Sequence, residues 1–308
     1  FGYNAFAAIL RGLGDSKSPL VFVAIACIIN IFLDILFVGS FGMEAMGAAL
    51  ATIISQAISM IACIIYLKRS SFGFDFKLSS FGIYKDRLVL LMKLGIPVSV
   101  QNVIVNLSFL VLTTIANGMV VNESAAVGVV GRYNGFAILP AIAVGSSVSA
   151  MVAQNIGAGL IDRAKKTFRV GLIMAYLITV VVFIVSRIFP EQILTLFDDD
   201  PGMIAAGMEY LRTFSLDYLV VPVVFCLNGV ITGSGHTVVS SVSGIMSSLG
   251  FRIPLAVLFG VILEKGMLGL GLAAPLASLG AAIFVTIYYL SGKWKTSKVI
   301  TGIRSLNS

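Results

Sequence analysis

The sequence predicts an all-α polytopic membrane protein, a helical bundle, and three observations carry that prediction. Hydrophobic residues make up 58% of the chain and charged residues 11%, against about 25% charged in an ordinary soluble domain. So few polar groups cannot cover a soluble core this apolar, so the excess must face lipid. The apolar residues fall in long unbroken runs near the roughly 20 residues that a membrane-spanning helix needs. The Lys and Arg residues, finally, gather in short connectors between those runs, which orients membrane helices and does not build a nucleic-acid-binding stripe. The net charge of +7 therefore points to topology and to no nucleic-acid partner.

Taken in order, the runs predict helices over 19–40, 45–67, 88–119, 123–156, 167–189, 203–232, 237–263 and 268–292, with residues 1–10 as the tail of another. None shows the period-two alternation of a membrane strand. The chain begins Phe-Gly-Tyr, and its first dozen residues read as the end of a helix. The expectation is a chain that lacks its opening helices.

Alternate connectors then fix an orientation. The connectors at 11–18, 68–87, 157–169 and 232–237, with the tail after 292, share one side. They hold most of the 21 basic residues, among them Arg11, Lys17, Lys68, Arg69, Lys77, Arg163, Lys165, Lys166, Lys293, Lys298 and Arg304. Connectors on the other side carry Glu44, Glu123, Glu191, Asp198, Asp199, Asp200 and Glu264. Short basic loops stay in the cytoplasm, so the first side and the C-terminus are expected there. Tyr288, Tyr289 and Trp294 read as an interfacial anchor closing the last helix. The 68–87 connector, polar and basic with interleaved aromatics, reads equally as a surface-lying amphipathic linker or as a solvated loop. Cys27, Cys63 and Cys226 sit inside apolar runs with no ligand spacing and read as packing residues.

A repeat is also legible. Residues 9–15 (ILRGLGD) and 230–236 (VITGSGH) align Gly12 with Gly233 and Gly14 with Gly235. Each turn precedes an apolar helix and then a helix that opens on small residues, Gly47-Ala48-Ala49 and Gly271-Leu272-Ala273. Six helices separate the turns, so both face one side, which makes a parallel pseudo-two-fold repeat. The four glycines read as positions that permit positive φ and tight reversal. No Gly-Lys-Ser/Thr follows either turn, so a phosphate loop is not indicated, and His236 reads as a loop residue.

The stretches LRGLGDSKSPL, NIFLDILFV, GMEAMGAALATIISQ, LGIPVSVQN, ILPAIAVGSSVSAMVAQNIGAG, GVITGSGHT and RIPLA lie in order along the chain. Together they resemble the multidrug and toxic compound extrusion (MATE) family. The resemblance implies a partial N-terminal lobe (residues 1–67: the tail of helix 4 and helices 5 and 6), a cytoplasmic linker (68–87), a complete six-helix C-terminal lobe (88–292) and a cytoplasmic tail (293–308). It implies a secondary active transporter of a bacterial inner membrane that exports hydrophobic or cationic compounds against inward proton or sodium flow, without a cofactor and as a monomer when full length. Some members carry a glutamate in helix 7 and an aspartate in helix 10. Here helix 7 offers Gln101, Asn102 and Asn106 and no acid, and helix 10 offers Asp217 about a turn from the expected place.

Ionisable groups deep in a span are functional candidates, because each costs about 2.5–3.5 kcal/mol at a helix centre. Asp217 is read as lying mid-span, with Asn228 three turns later on the same face; substrate or cation binding and structural hydrogen bonding both fit. Asn30 and Asp34 share a face and read as structural or gating residues, as do the glycines. Arg252, just before Pro254, reads first as half of a structural ion pair, with an anionic group as its other possible partner. Asn102, Asn106 and Thr113, with Phe109 between them, form a stripe that faces a cavity or another helix. The alternative within transport, a lipid-linked oligosaccharide flippase, calls for several cavity arginines. An intramembrane enzyme calls for a clustered nucleophile and base, which the sequence does not offer.

Overall fold

The computed structural model describes residues 2–69, 82–118 and 121–296, and these are helical with no strand among them. Most of the 68–87 linker and all of the tail beyond residue 296 lie outside the described residues. The chain divides into two compact units, residues 1–84 and 85–308. Among the described residues, seven helices are long and apolar enough to cross a membrane, and one bent pair supplies an eighth. These eight correspond to the eight predicted runs.

In the first unit α1 (Gly2–Gly12) leads through a turn to α2 (Lys17–Asp34). That helix widens into a π-helical stretch, Ile35–Ser40, before α3 (Glu44–Arg69). The three helices pack around Leu10, Cys63 and Leu67 with Phe6, Phe22 and Tyr66. The second unit runs α4 (Lys85–Asn117), α5 (Val121–Ala137), α6 (Leu139–Gly157), α7 (Ile161–Ile188), the short α8 (Pro190–Thr195), α9 (Pro201–Phe214) and α10 (Asp217–Gly233). After these come α11 (Thr237–Ile245), a π-helical Met246–Arg252, α12 (Ile253–Ala256), a second π-helical stretch Val257–Ile262, and α13 (Gly266–Leu290).

Side chains on these helices are sorted as lipid demands. On α7 the outward stripe is Ile173, Leu177, Val181, Ile184 and Ile188, while Ala164, Gly171, Ala175, Thr179 and Ser186 face inward. Large residues outside and small ones at the helix contacts invert the soluble pattern. With lipid as solvent, packing and not hydrophobic expulsion joins the helices. The same inversion holds on α13, whose buried face is mostly Gly, Ala and Ser.

Two predicted helices are broken. The 123–156 run divides at Ile138 into α5 and α6, because Pro140 has no N–H to reach the carbonyl of Phe136. The 203–232 run becomes α9 and α10, bent by 48°; Pro222 likewise deprives Tyr218's carbonyl of a partner just after the bend. The two broken helices lie alongside one another, α5 against α9 and α6 against α10, so their breaks meet.

The repeat extends well beyond the glycine turns. Gly14 N–H bonds to Arg11 O (3.1 Å) and Asp15 N–H to Leu10 O (3.0 Å); Gly235 N–H bonds to Thr232 O (2.9 Å) and His236 N–H to Ile231 O (3.0 Å). Both are Schellman closures, and both need the left-handed residue found at Gly14 (φ 94°) and Gly235 (φ 85°). Gly12 and Gly233 are the last residues of α1 and α10, not positive-φ positions, which corrects the reading of all four glycines as reversal points. Each following helix ends in a six-residue π turn, Ile35–Ser40 and Val257–Ile262, and then passes through a left-handed glutamate, Glu44 (φ 46°) or Glu264 (φ 47°). Finally the end of each third helix reaches back to its turn. Tyr66 Oη donates to Asp15 Oδ2 at 2.8 Å, and Tyr288 Oη meets His236 Nδ1 at 2.7 Å.

These pins refine one expectation and overturn another. His236 keeps its expected place in the loop, as the residue before α11, but it is buried there: its Nε2 donates to the carbonyl of Thr296 at 2.9 Å, and its Nδ1 meets the Tyr288 hydroxyl at 2.7 Å. Trp294 is 1% exposed. It stacks on Tyr289 at 5.1 Å and donates Nε1–H to that residue's carbonyl at 3.0 Å, so it locks the end of α13 and is not an exposed interfacial anchor. In the first unit the hydroxyl and amide of Ser18, followed by the Tyr66 hydroxyl, hold the Asp15 carboxyl below its ordinary value of 3.8.

Candidate functional site

The second unit holds a partly open cavity of about 830 Å³, within the range of a drug-sized ligand pocket. Helix α4 supplies Gln101, Asn102, Phe109, Leu112 and Thr113; α5 supplies Val127, Arg132 and Asn134. Tyr210 and Phe214 come from α9, and Asp217, Val221, Phe225 and Asn228 from α10. Ser243, Ser247 and Arg252 come from α11 and its π-helical extension, and Ala274, Ser278 and Ala281 from α13. Apolar and aromatic side chains interleaved with many polar and charged ones suit a partly apolar ligand that several contacts orient.

Asp217 is the acid of this cavity. It lies mid-span, as the sequence suggested, and is there the first residue of α10, at the bend. The side chain is 4% exposed, the Ser278 hydroxyl lies against its carboxylate, and Oδ1 has no hydrogen-bond partner among the described residues. Asn228 shares the wall three turns along, and its Oδ1 is also buried without a partner.

Arg252 enters from the π-helical stretch. Its guanidinium lies over the Phe109 ring, 4.6 Å from the centroid, and its Nε and Nη1 are buried without partners. Asp217 and Arg252 line the same cavity. The unfilled atoms on both show that, among the described residues, they do not close into the structural ion pair first expected of Arg252.

Of the remaining candidates, Gln101 and Asn102 line the cavity and Asn106 does not. Asn106 is exposed and donates back to the Asn102 carbonyl at 2.9 Å. Asn30 and Asp34 belong to the other unit. Asp34 is the last residue before the π turn, and Asn30 Nδ2 and Asp34 Oδ1 are both buried without partners. Sequence reading missed Asn134, Tyr210 and Ser278. The run Arg132-Tyr133-Asn134, polar in the middle of an apolar segment, was a usable signal for the first.

Fold and site together define a multi-pass helical membrane protein with a mixed-charge cavity inside one helical unit. The MatE family model matches residues 97–258. The probable multidrug resistance protein YpnP of Bacillus subtilis is 32% identical over 305 residues, covering 98% of this chain and 67% of that protein. The probable multidrug resistance protein YoeA of the same organism is 30% identical over 306 residues, covering 97% and 66%. A crystal structure of MATE in the straight conformation superposes with a TM-score of 0.87 at 21% identity, over 93% of this chain and 64% of that one. The chain belongs to the MATE family, and it spans about two thirds of the length of the relatives it matches.

Proposed function

We propose that this chain forms part of a secondary active efflux transporter that exports hydrophobic or cationic compounds in exchange for protons or sodium. One observation carries the reading: a buried carboxylate, Asp217, with an oxygen unpartnered among the described residues, at the bend of a broken helix in the wall of a large cavity. An acid placed at membrane depth is costly, and a cation offsets that cost whether it is a proton, a sodium ion or the charged end of a cargo molecule. Because one carboxylate cannot hold two of these at once, competition for it links the inward ion to the outward compound. Breaks that lie side by side in α5–α6 and α9–α10 supply places where the helices can bend as access alternates. The names of the relatives support multidrug efflux as the outcome. A flippase for a polyanionic lipid-linked sugar is the second reading, but two lining arginines beside an acid make a sparse wall for a polyanion.

Asp217→Asn tests the proposal, because it keeps the shape and removes the exchangeable charge. In cells making equal amounts of membrane-inserted protein from the longest natural chain that carries this sequence, the variant should lose efflux driven by an imposed proton or sodium gradient. Efflux equal to the parent's would make Asp217 structural and sink the proposal.

A further inference from the structure

Away from the cavity, six cations gather at one end of the second unit, on two segments far apart in sequence. Arg163, Lys165, Lys166 and Arg169 stand in the first turns of α7, and Lys293 and Lys295 follow α13. The two segments are locked together. Trp294, between the two lysines, stacks on Tyr289, Tyr289 meets Phe168 of α7 at 5.0 Å, and Ile161 and Phe168 pack on the buried cluster that holds Trp294. Orientation in a membrane asks for basic residues near the ends of spans, but not for this convergence. Within residues 161–170 and 291–296 the one acid is Asp162, which pairs with Lys165 at 2.8 Å. The other five cations are exposed and lie in no ion pair among the described residues. Like charges gathered at one place repel, so the patch calls for an anion from outside the chain.

The apolar surface beside the patch says which anion. Arg163, Lys166, Val170, Ile173 and Leu177 follow one another at three- and four-residue steps, so they share a face of α7. The exposed apolar stripe of that helix therefore runs straight into cations. On α13 the exposed Ile283, Ile287 and Leu290 likewise lead to Lys293. An acyl chain lying along either stripe brings its own headgroup phosphate to the basic end. A free phosphate or an acidic peptide would use the cations and leave the stripes idle. We infer that this end of the second unit binds an anionic phospholipid, its phosphate held by Arg163, Lys166, Arg169 and the lysines flanking Trp294, and its chains lying on α7 and α13. The site is separate from the cavity and does not depend on what the cavity carries.

Trp294 is the single tryptophan of the chain, so its emission reports on this place alone. The chain is reconstituted in phosphatidylcholine vesicles in which a minor share of the lipid carries brominated acyl chains, a short-range quencher of tryptophan. The brominated lipid is either phosphatidylglycerol or phosphatidylcholine. The anionic lipid should quench Trp294 as if bound about tenfold more tightly than the zwitterionic one. Lys166→Gln combined with Arg169→Gln should cut that preference to about twofold or less. Lys17→Gln combined with Lys93→Gln, which removes the same charge elsewhere, should leave it within about twofold of the parent's. Lys166→Arg combined with Arg169→Lys keeps the charge, and should keep most of the preference even if the Gln pair misfolds. Three results overturn the inference: a parent with no preference, equal losses in the two Gln pairs, or a preference abolished by inorganic phosphate but not by chloride of equal ionic strength. The last would mark a site for free phosphate.

Discussion

The turn–helix–helix element occurs twice, as residues 9–69 and 230–290, and the two copies share the backbone of their turns and helix ends while differing in chemistry and in the extra π-helical stretch Met246–Arg252 of the second. Both close with a Schellman turn, widen into a π-helical end and pass through a left-handed glutamate. Yet the turn residue pinned by a tyrosine is a solvent-accessible carboxylate, Asp15, in one copy and a buried imidazole, His236, in the other. The comparison teaches that backbone hydrogen-bond geometry sets the scaffold. The side chains hung on it are free to differ wherever only one copy is tightly packed.

The aligned glycines Gly12 and Gly233 should show the largest difference. A Cβ on Gly233 would lie 2.4 Å from the backbone oxygen of Ser149, whereas nothing lies within 4 Å of one on Gly12. A backbone oxygen of a neighbouring helix cannot step aside as a flexible side chain can. Gly233→Ala should therefore destabilise the protein by about 3 kcal/mol, the upper end for overpacking. Gly12→Ala should be neutral or stabilising within about 1 kcal/mol, because alanine is the better helix former. Unfolding free energies in mixed micelles decide this, and equal effects at the two positions would mean that the copies do not differ in packing.

A smaller difference is expected at the pins. Tyr288→Phe removes the hydroxyl that meets the buried Nδ1 of His236 and should cost about 1–2 kcal/mol. Tyr66→Phe removes a bond whose acceptor water can replace, and should cost about 0.5 kcal/mol. The Asp15 pin carries a further signature. Its carboxyl titrates below the ordinary value of 3.8, so its contribution is fully present above that pH and disappears as pH falls through the lowered value. Parent and Tyr66→Phe should thus converge in strong acid, and a gap that persists there contradicts the assignment.

How much of this the sequence disclosed follows from what each signal measures. The eight spans were legible because composition and run length report directly on lipid exposure. The breaks at Ile138 and between Phe214 and Asp217 were not, because hydropathy does not register a missing hydrogen bond, although Pro140 and Pro222 mark both. Asp217, Asn228, Gln101 and Asn102 stood out as polar residues in apolar runs, and they do share one cavity. Asn106 carried the same signal and turned back on its own helix, a choice that spacing cannot foresee. Arg252 was read as half of an ion pair because sequence shows which charges exist and not whether they meet. Trp294 fitted an interfacial anchor by position, but its stack on Tyr289 is a tertiary contact that position does not encode.

Competition at Asp217 tests the central claim most directly. Rhodamine 123 carries a fixed positive charge, so its affinity for the purified chain can be followed as proton concentration, and separately sodium concentration, is raised. The account predicts that at least one of the two ions weakens dye binding competitively, and that Asp217→Asn binds the dye more weakly with no dependence on either. A parent whose affinity stays flat against both ions, or an Asp217→Asn variant that keeps the parent's dependence, would contradict it.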